Sequence, residues 1–208
     1  MTIEICPNGV MCTTPGHTGW IGQLYNADRT CLYETVLETK PKQIFEVGTW
    51  LGGGSTFFLA KGLQKNGFGQ LHTSETDAAA HGQAIKNYQR EFPELLPFVK
   101  FYLGNSLQVF SPVLYDGLHP RSIKPEDQIV DILFLDGADN AEETVAEFMM
   151  FEPFFHPGSI FMAHDWLDRA DAQKMRLLRP IVENSKDWKI LKVIGPPESV
   201  GFVKAVRI

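Results

Sequence analysis

Two stretches of this 208-residue chain place acids where acids are costly. Leu135-Asp136-Gly137-Ala138-Asp139-Asn140 closes the apolar run from Ile129, and Ala163-His164-Asp165-Trp166 closes the run from Gly158. Both runs read as buried strands. A carboxylate leaving such a strand is not left inside unpaired, because burying a lone charge is expensive. Asp136 and Asp165 must therefore face a cleft, a cation or a polar network. A third acid, Glu75, ends the strand-like run from Gln70 and lies 21 residues beyond Gly54. That is close to the ~20-residue separation of the acid that holds ribose hydroxyls in nucleotide-like sites. One carboxylate accepts from both hydroxyls of a ribose, which is why an acid suits the place. Asp77 is accounted for as a helix cap.

The stretch IFEVGTWLGGGST, Ile44 to Thr56, supplies a loop for these acids to surround. Gly48, Gly52, Gly53 and Gly54 remove side chains where the backbone must turn and approach a ligand. Ser55 and Thr56 are placed to cap a helix that continues through Phe57, Phe58, Leu59 and Leu63. No register supplies the dinucleotide fingerprint G-x-G-x-x-G. Gly48 and Gly53 have Walker A spacing, but Gly54 stands where that motif needs lysine. What remains is Glu46-x-Gly48-x-x-x-Gly52-x-Gly54-Ser55, a cradle without a phosphate-reading cation. A turn that merely lets a helix pack on a sheet would have the same composition.

The elements that must position these groups alternate from Lys42 onward. Strands are expected near 43–48, 70–75, 99–103, 129–135 and 158–163, with helices near 54–65, 77–91, from 105, 141–151 and 169–183. Strands alternating with helices imply a doubly wound, mostly parallel α/β sheet with helices on both faces. Two last strands, 188–194 and 201–208, are joined too tightly for a crossover helix and must pair antiparallel. The segment 111–128 enters a strand at its N-terminal end, away from the carboxyl ends where ligands bind, and reads as structural or as a subunit contact. Residues 1–41 read as an arm or lid with one or two amphipathic helices ending before Pro41, and 42–208 as the main body of one compact domain.

The glycine loop, the acid at the second strand and the terminal hairpin together resemble the class I S-adenosylmethionine-dependent methyltransferases, over about 43–208. The resemblance implies a seven-stranded Rossmann-like sheet and S-adenosylmethionine bound by Glu46, Gly48, Gly52, Gly54, Ser55, Glu75, Asn105, Ser106 and Asp136. Asn105 stands where the family meets the adenine edge, usually with an acid. The later motifs resemble a subgroup with Asp-Gly-x-His and His-Asp-[Tyr/Trp], which includes small-molecule and sugar methyltransferases, some metal-dependent. Asp139 departs from that pattern by replacing its histidine, a candidate base. Two mechanisms stay open. Asp136 and Asp165, with Asp139 or Asn140, hold Mg²⁺, or Mn²⁺ if His164 joins them. Alternatively no metal binds, and His164 or Asp139 takes the proton. The implied reaction is methyl transfer, foremost to an oxygen of a small molecule. A non-catalytic cofactor-binding module is the first rival, motivated by Asp139; a nucleotide-using oxidoreductase is the second.

Composition narrows the setting. Hydrophobic content of 44% and charged content of 21% are ordinary for a globular protein. A net charge of −6 gives no basic footprint for nucleic acid or an anionic membrane. No run approaches the ~20 apolar residues that span a bilayer, and no secretory signal is visible, so a cytoplasmic protein is expected. Cys6, Cys12 and Cys31 are odd in number and match no zinc spacing, and read as reduced thiols. A homo-oligomer is compatible with the sequence.

Overall fold

The described residues form seven strands: β1 (Gln43–Val47), β2 (Gln70–Glu75), β3 (Val99–Leu103), β4 (Val130–Leu135), β5 (Phe155–His164), β6 (Trp188–Ile194) and β7 (Phe202–Arg207). The computed structural model describes residues 24–115, 128–138, 140–167 and 173–208. Helices α1 (Asn26–Thr39), α2 (Ser55–Asn66), α3 (Ala78–Glu91), α4 (Ser106–Val109), α5 (Ser111–Tyr115), α6 (Ala141–Phe151) and α7 (Leu178–Glu183) lie between and before them. Side-chain caps fix three helix starts. Asp77 Oδ1 accepts from the Ala80 N–H at 2.7 Å, Asn105 Oδ1 from Leu107 at 3.0 Å, and Asn140 Oδ1 from Glu143 at 2.8 Å.

The seven strands form one sheet in the order β3-β2-β1-β4-β5-β7-β6. β1 pairs in parallel with β2 and β4, β2 with β3, and β4 with β5. β7 runs antiparallel between β5 and β6, as the tight last connection requires. Alternation along β1 splits the core in two. Ile44 joins Leu71, Ile132 and Ile160 under α1 and α2, while Phe45 and Val47 join Leu133, Leu135 and Phe161 on the other face. Burial on both faces explains why β4 reads as almost uniformly apolar.

Its exception, Asp131, belongs to the far rim. There Asp131 Oδ2 accepts from the N–H groups of Lys42 and Gln43, both at 2.7 Å, and Oδ1 lies 3.0 Å from His156 Nε2. The carboxyl ends of β1, β2, β3, β4 and β5 gather on the opposite rim, so the motif loops meet there.

Three expectations are revised. β5 starts at Phe155, earlier than its apolar run suggests. Of the expected helix 169–183, only Leu178–Glu183 is helical among the described residues. The cap of α2 is Gly54, with no side-chain bond, because the Ser55 and Thr56 hydroxyls turn inward to Glu46 instead. Residues 1–23 and 116–127, which include Cys6, Cys12 and most of the expected arm, lie outside the described residues. Among the described residues no helix is long and apolar enough to cross a membrane.

Candidate active site

The loop after β1 is shaped by contact with the loop after β4. Gly48 has φ +100, and a Cβ there would sit 2.8 Å from Gly137 Cα. A Cβ on Gly137 would sit 2.7 Å from Gly48 N. Two backbones touch, and neither position has room for a side chain. The N–H groups of Gly48 and Thr49 both reach Ser74 O at 3.0 Å, tying the bend to β2.

Glu75 closes the bend. The Trp50 N–H donates to Glu75 Oε2 at 2.8 Å, and the Asp77 N–H to Oε1 at 2.9 Å. Trp50 reaches this position with φ +47. Each carboxylate oxygen has accepted one bond and keeps a lone pair for a ligand hydroxyl. Glu46, expected among the ligand-binding groups, lies beneath the loop with no exposed surface. Its Oε2 accepts from Thr56 Oγ1 at 2.7 Å. Burial pushes its carboxyl up to about 7, against the hydroxyls of Ser55, Thr73 and Thr56. Gly52, Gly54 and Ser55 likewise shape the turn without lining the cavity described next.

A cavity of about 540 Å³ opens beside Gly48, Trp50 and Glu75 and reaches Asp136, His164, Asp165 and Lys174. Tyr25 and Val200 form its outer wall. A smaller recess of about 50 Å³ adjoins it between Gly48, Glu75, Asn105, Ser106, Gly137, Glu143 and Glu147. Asn105 Nδ2 donates to Glu143 Oε1 at 2.7 Å, and Ser106 Oγ to Glu147 Oε1 at 2.6 Å. Burial pushes the Glu147 carboxyl up to about 7 in spite of the Ser106 bond.

Around His164 and Lys174 five ionisable groups converge. His164 Nδ1 lies 3.4 Å from Asp136 Oδ1 and 3.5 Å from Asp165 Oδ2, and Nε2 lies 3.6 Å from Asp28 Oδ2. Lys174 Nζ donates to Asp136 Oδ1 at 2.8 Å and to Asp136 O at 2.9 Å, and lies 2.9 Å from Asp165 Oδ2. Asp165 holds its place with φ +55, an uncommon backbone for a residue with a side chain. Burial alone would raise the Asp136 and Asp165 carboxyls, but Lys174 and His164 outweigh it and hold both below the usual carboxylate range. Burial would lower His164; the three carboxylates reverse that and push the imidazole up to about 12. Lys174 is raised for the same reason.

The sequence thus located Asp136, His164 and Asp165 together, and Glu75 beside the glycine loop. Asp139 lies outside the described residues. Asp28, Glu143, Glu147 and Lys174 were not anticipated. Lys174 had one available signal: it is the first lysine after β5, where two acids leaving buried strands need a counter-charge. Asp136, His164 and Asp165 offer ligand atoms within 4.8 Å of one another, a spacing a metal ion can use. The donor set does not fit that role as it stands, since the Lys174 ammonium already bonds both carboxylates.

Residues 45–166 match the family model described as a methyltransferase domain. The chain belongs to that family, and its seven-stranded sheet is that of a class I S-adenosylmethionine-dependent methyltransferase. No curated protein matches the chain. Among solved structures, an O-methyltransferase from Bacillus cereus in complex with SAH is similar with a TM-score of 0.65 at 22% identity, over 88% of this chain and 81% of that one. The O-methyltransferase TomG from Streptomyces achromogenes, involved in tomaymycin synthesis and bound to SAM, gives 0.65 at 18% identity, over 88% and 81%. A methyltransferase from Geobacter sulfurreducens gives 0.62 at 13% identity, over 86% and 78%. At these identities the structures attest the fold.

Proposed function

We propose that this methyltransferase acts on a hydroxyl oxygen of a small molecule. The observation that carries the reading is a single cavity lined both by Glu75 and by the Asp136–His164–Asp165–Lys174 cluster. Glu75 suits the ribose hydroxyls, and the recess at Asn105 and Ser106 suits the adenine edge. S-adenosylmethionine, when bound, supplies an activated methyl on a sulfonium. The protein's part is then to hold an acceptor oxygen in line with it, which is worth several kcal/mol of barrier or more. Three carboxylates and two cations sum to a formal −1, which favours a cationic sulfonium nearby. The Bacillus cereus and Streptomyces achromogenes proteins are O-methyltransferases, which supports oxygen as the acceptor atom.

His164 was expected as a base. Both of its ring nitrogens lie within 3.6 Å of carboxylates, which keep the imidazole protonated and leave it no lone pair with which to take a proton. In this reading its task is to steady Asp136 and Asp165, and the cavity-lining Asp165 carboxylate accepts the hydrogen bond of the acceptor hydroxyl and receives its proton as that oxygen is methylated, passing it on to solvent. No step is routed through a divalent ion, because Lys174 stands between the two carboxylates.

The test is turnover of methyl-labelled S-adenosylmethionine with a panel of phenols, catechols and sugar alcohols. We expect label in an alkali-stable ether, lost at least 100-fold in Asp165→Asn. Label recovered only in amines or in RNA would overturn the reading.

A further inference from the structure

We propose that Lys174 is a tethered cation that occupies the divalent-ion position of this cavity, so that the protein works without a metal. It rests on the cavity being the transfer site, but its test needs no turnover. An ammonium has three N–H donors. Lys174 Nζ finds three oxygens at hydrogen-bonding distance: Asp136 Oδ1 at 2.8 Å, Asp136 O at 2.9 Å and Asp165 Oδ2 at 2.9 Å. Its side chain is 15% exposed, and the two acids are 21% and 20% exposed. Such a shielded group is neither a solvated surface lysine nor a spare base.

Each oxygen that Nζ uses is of the kind a hard divalent ion prefers, and the two carboxylates come from the ends of β4 and β5. A divalent ion bonding both carboxylates would need oxygens at about 2.0–2.1 Å for Mg²⁺. It would also have to share that space with a positive charge now 2.8 Å from one ligand and 2.9 Å from the other. Like charges at such separations exclude one another. His164 adds a second cationic side chain within 3.5 Å of the same acids. The pair is thus already neutralised from within the chain. Lys174 acts as a positioning residue: it sets where Asp136 and Asp165 point, and hence where an acceptor hydroxyl can bind.

A structural lysine and a metal substitute differ in what their removal creates. Lys174→Ala or Lys174→Gln should uncover a divalent site, whereas Lys174→Arg should keep it closed. The probe is Mn²⁺, followed by electron paramagnetic resonance and calorimetry on the full chain. Wild type and Lys174→Arg are expected to leave millimolar Mn²⁺ free. Lys174→Ala and Lys174→Gln should bind it at least tenfold more tightly than wild type, and a second change, Asp165→Asn, should abolish the gain. Circular dichroism identifies which variants fold, and the wild-type titration stands even if both neutral variants do not. Wild-type Mn²⁺ binding that disappears in Asp165→Asn overturns the proposal. So does a folded Lys174→Ala or Lys174→Gln that gains no Mn²⁺ binding.

Discussion

Glu46 and Glu147 are buried acids under the ligand rim, and their shifts run opposite to those of the Asp136 and Asp165 carboxylates. Each has an ordinary value of 4.5 and is pushed by burial to about 7. A group that binds its proton more tightly when folded adds stability below its unfolded value, and that stability is lost as pH rises through the folded value. The protein should therefore weaken between about pH 4.5 and pH 7 on their account. Asp136 and Asp165 behave inversely: their depressed values add stability above the ordinary 3.8 that is lost as pH falls. Urea denaturation should show a stability maximum between those limits. Glu147→Gln keeps an oxygen for Ser106 and removes the titration, so it should be more stable than wild type at pH 8 by on the order of 1–3 kcal/mol and unchanged at pH 4.5. Equal midpoints at both pH values would refute this.

At the scale of elements, the site is made by loops that touch. Gly137→Ala would force a Cβ to 2.7 Å from Gly48 N, and backbone cannot yield as a flexible side chain does. We expect a loss of about 1–3 kcal/mol in stability together with at least tenfold weaker S-adenosylhomocysteine binding. Gly67→Ala is the control. Its φ is +82, and nothing lies within 4 Å of the added Cβ. It should cost about 1 kcal/mol and leave binding unchanged. At the start of α6, Asn140→Ala removes the acceptor of the Glu143 N–H and should cost ~1 kcal/mol by thermal unfolding. Element order was legible because periodicity and glycine placement are local signals: β2, β3, α6 and β6 fall where their patterns put them. Less legible was the first turn of α2. Ser55 and Thr56 look like caps in sequence, but a buried carboxylate across the turn claims their hydroxyls, and one chain segment read alone does not reveal it.

For the whole molecule, a parallel sheet buried on both faces delivers five loops to one rim, and alternation alone predicts which rim. Hence the sequence alone could place Asp136, Asp165 and Glu75 on one rim. It could not place Lys174, Asp28 and Glu147. They reach the site from helices and a connection whose packing sets their direction, and no spacing rule encodes it. We infer that Glu75, drawn to the bend after β1 by the Trp50 N–H, grips the ribose of S-adenosylmethionine. Calorimetric titration of S-adenosylhomocysteine and of NAD into wild type and Glu75→Ala tests it most directly. We predict one-site binding of S-adenosylhomocysteine, none of NAD, and at least tenfold weaker S-adenosylhomocysteine binding in the folded variant, since two charge-assisted hydrogen bonds are lost at roughly 1.5–3 kcal/mol each. Binding of NAD alone, or S-adenosylhomocysteine affinity unaltered by Glu75→Ala, would contradict the account.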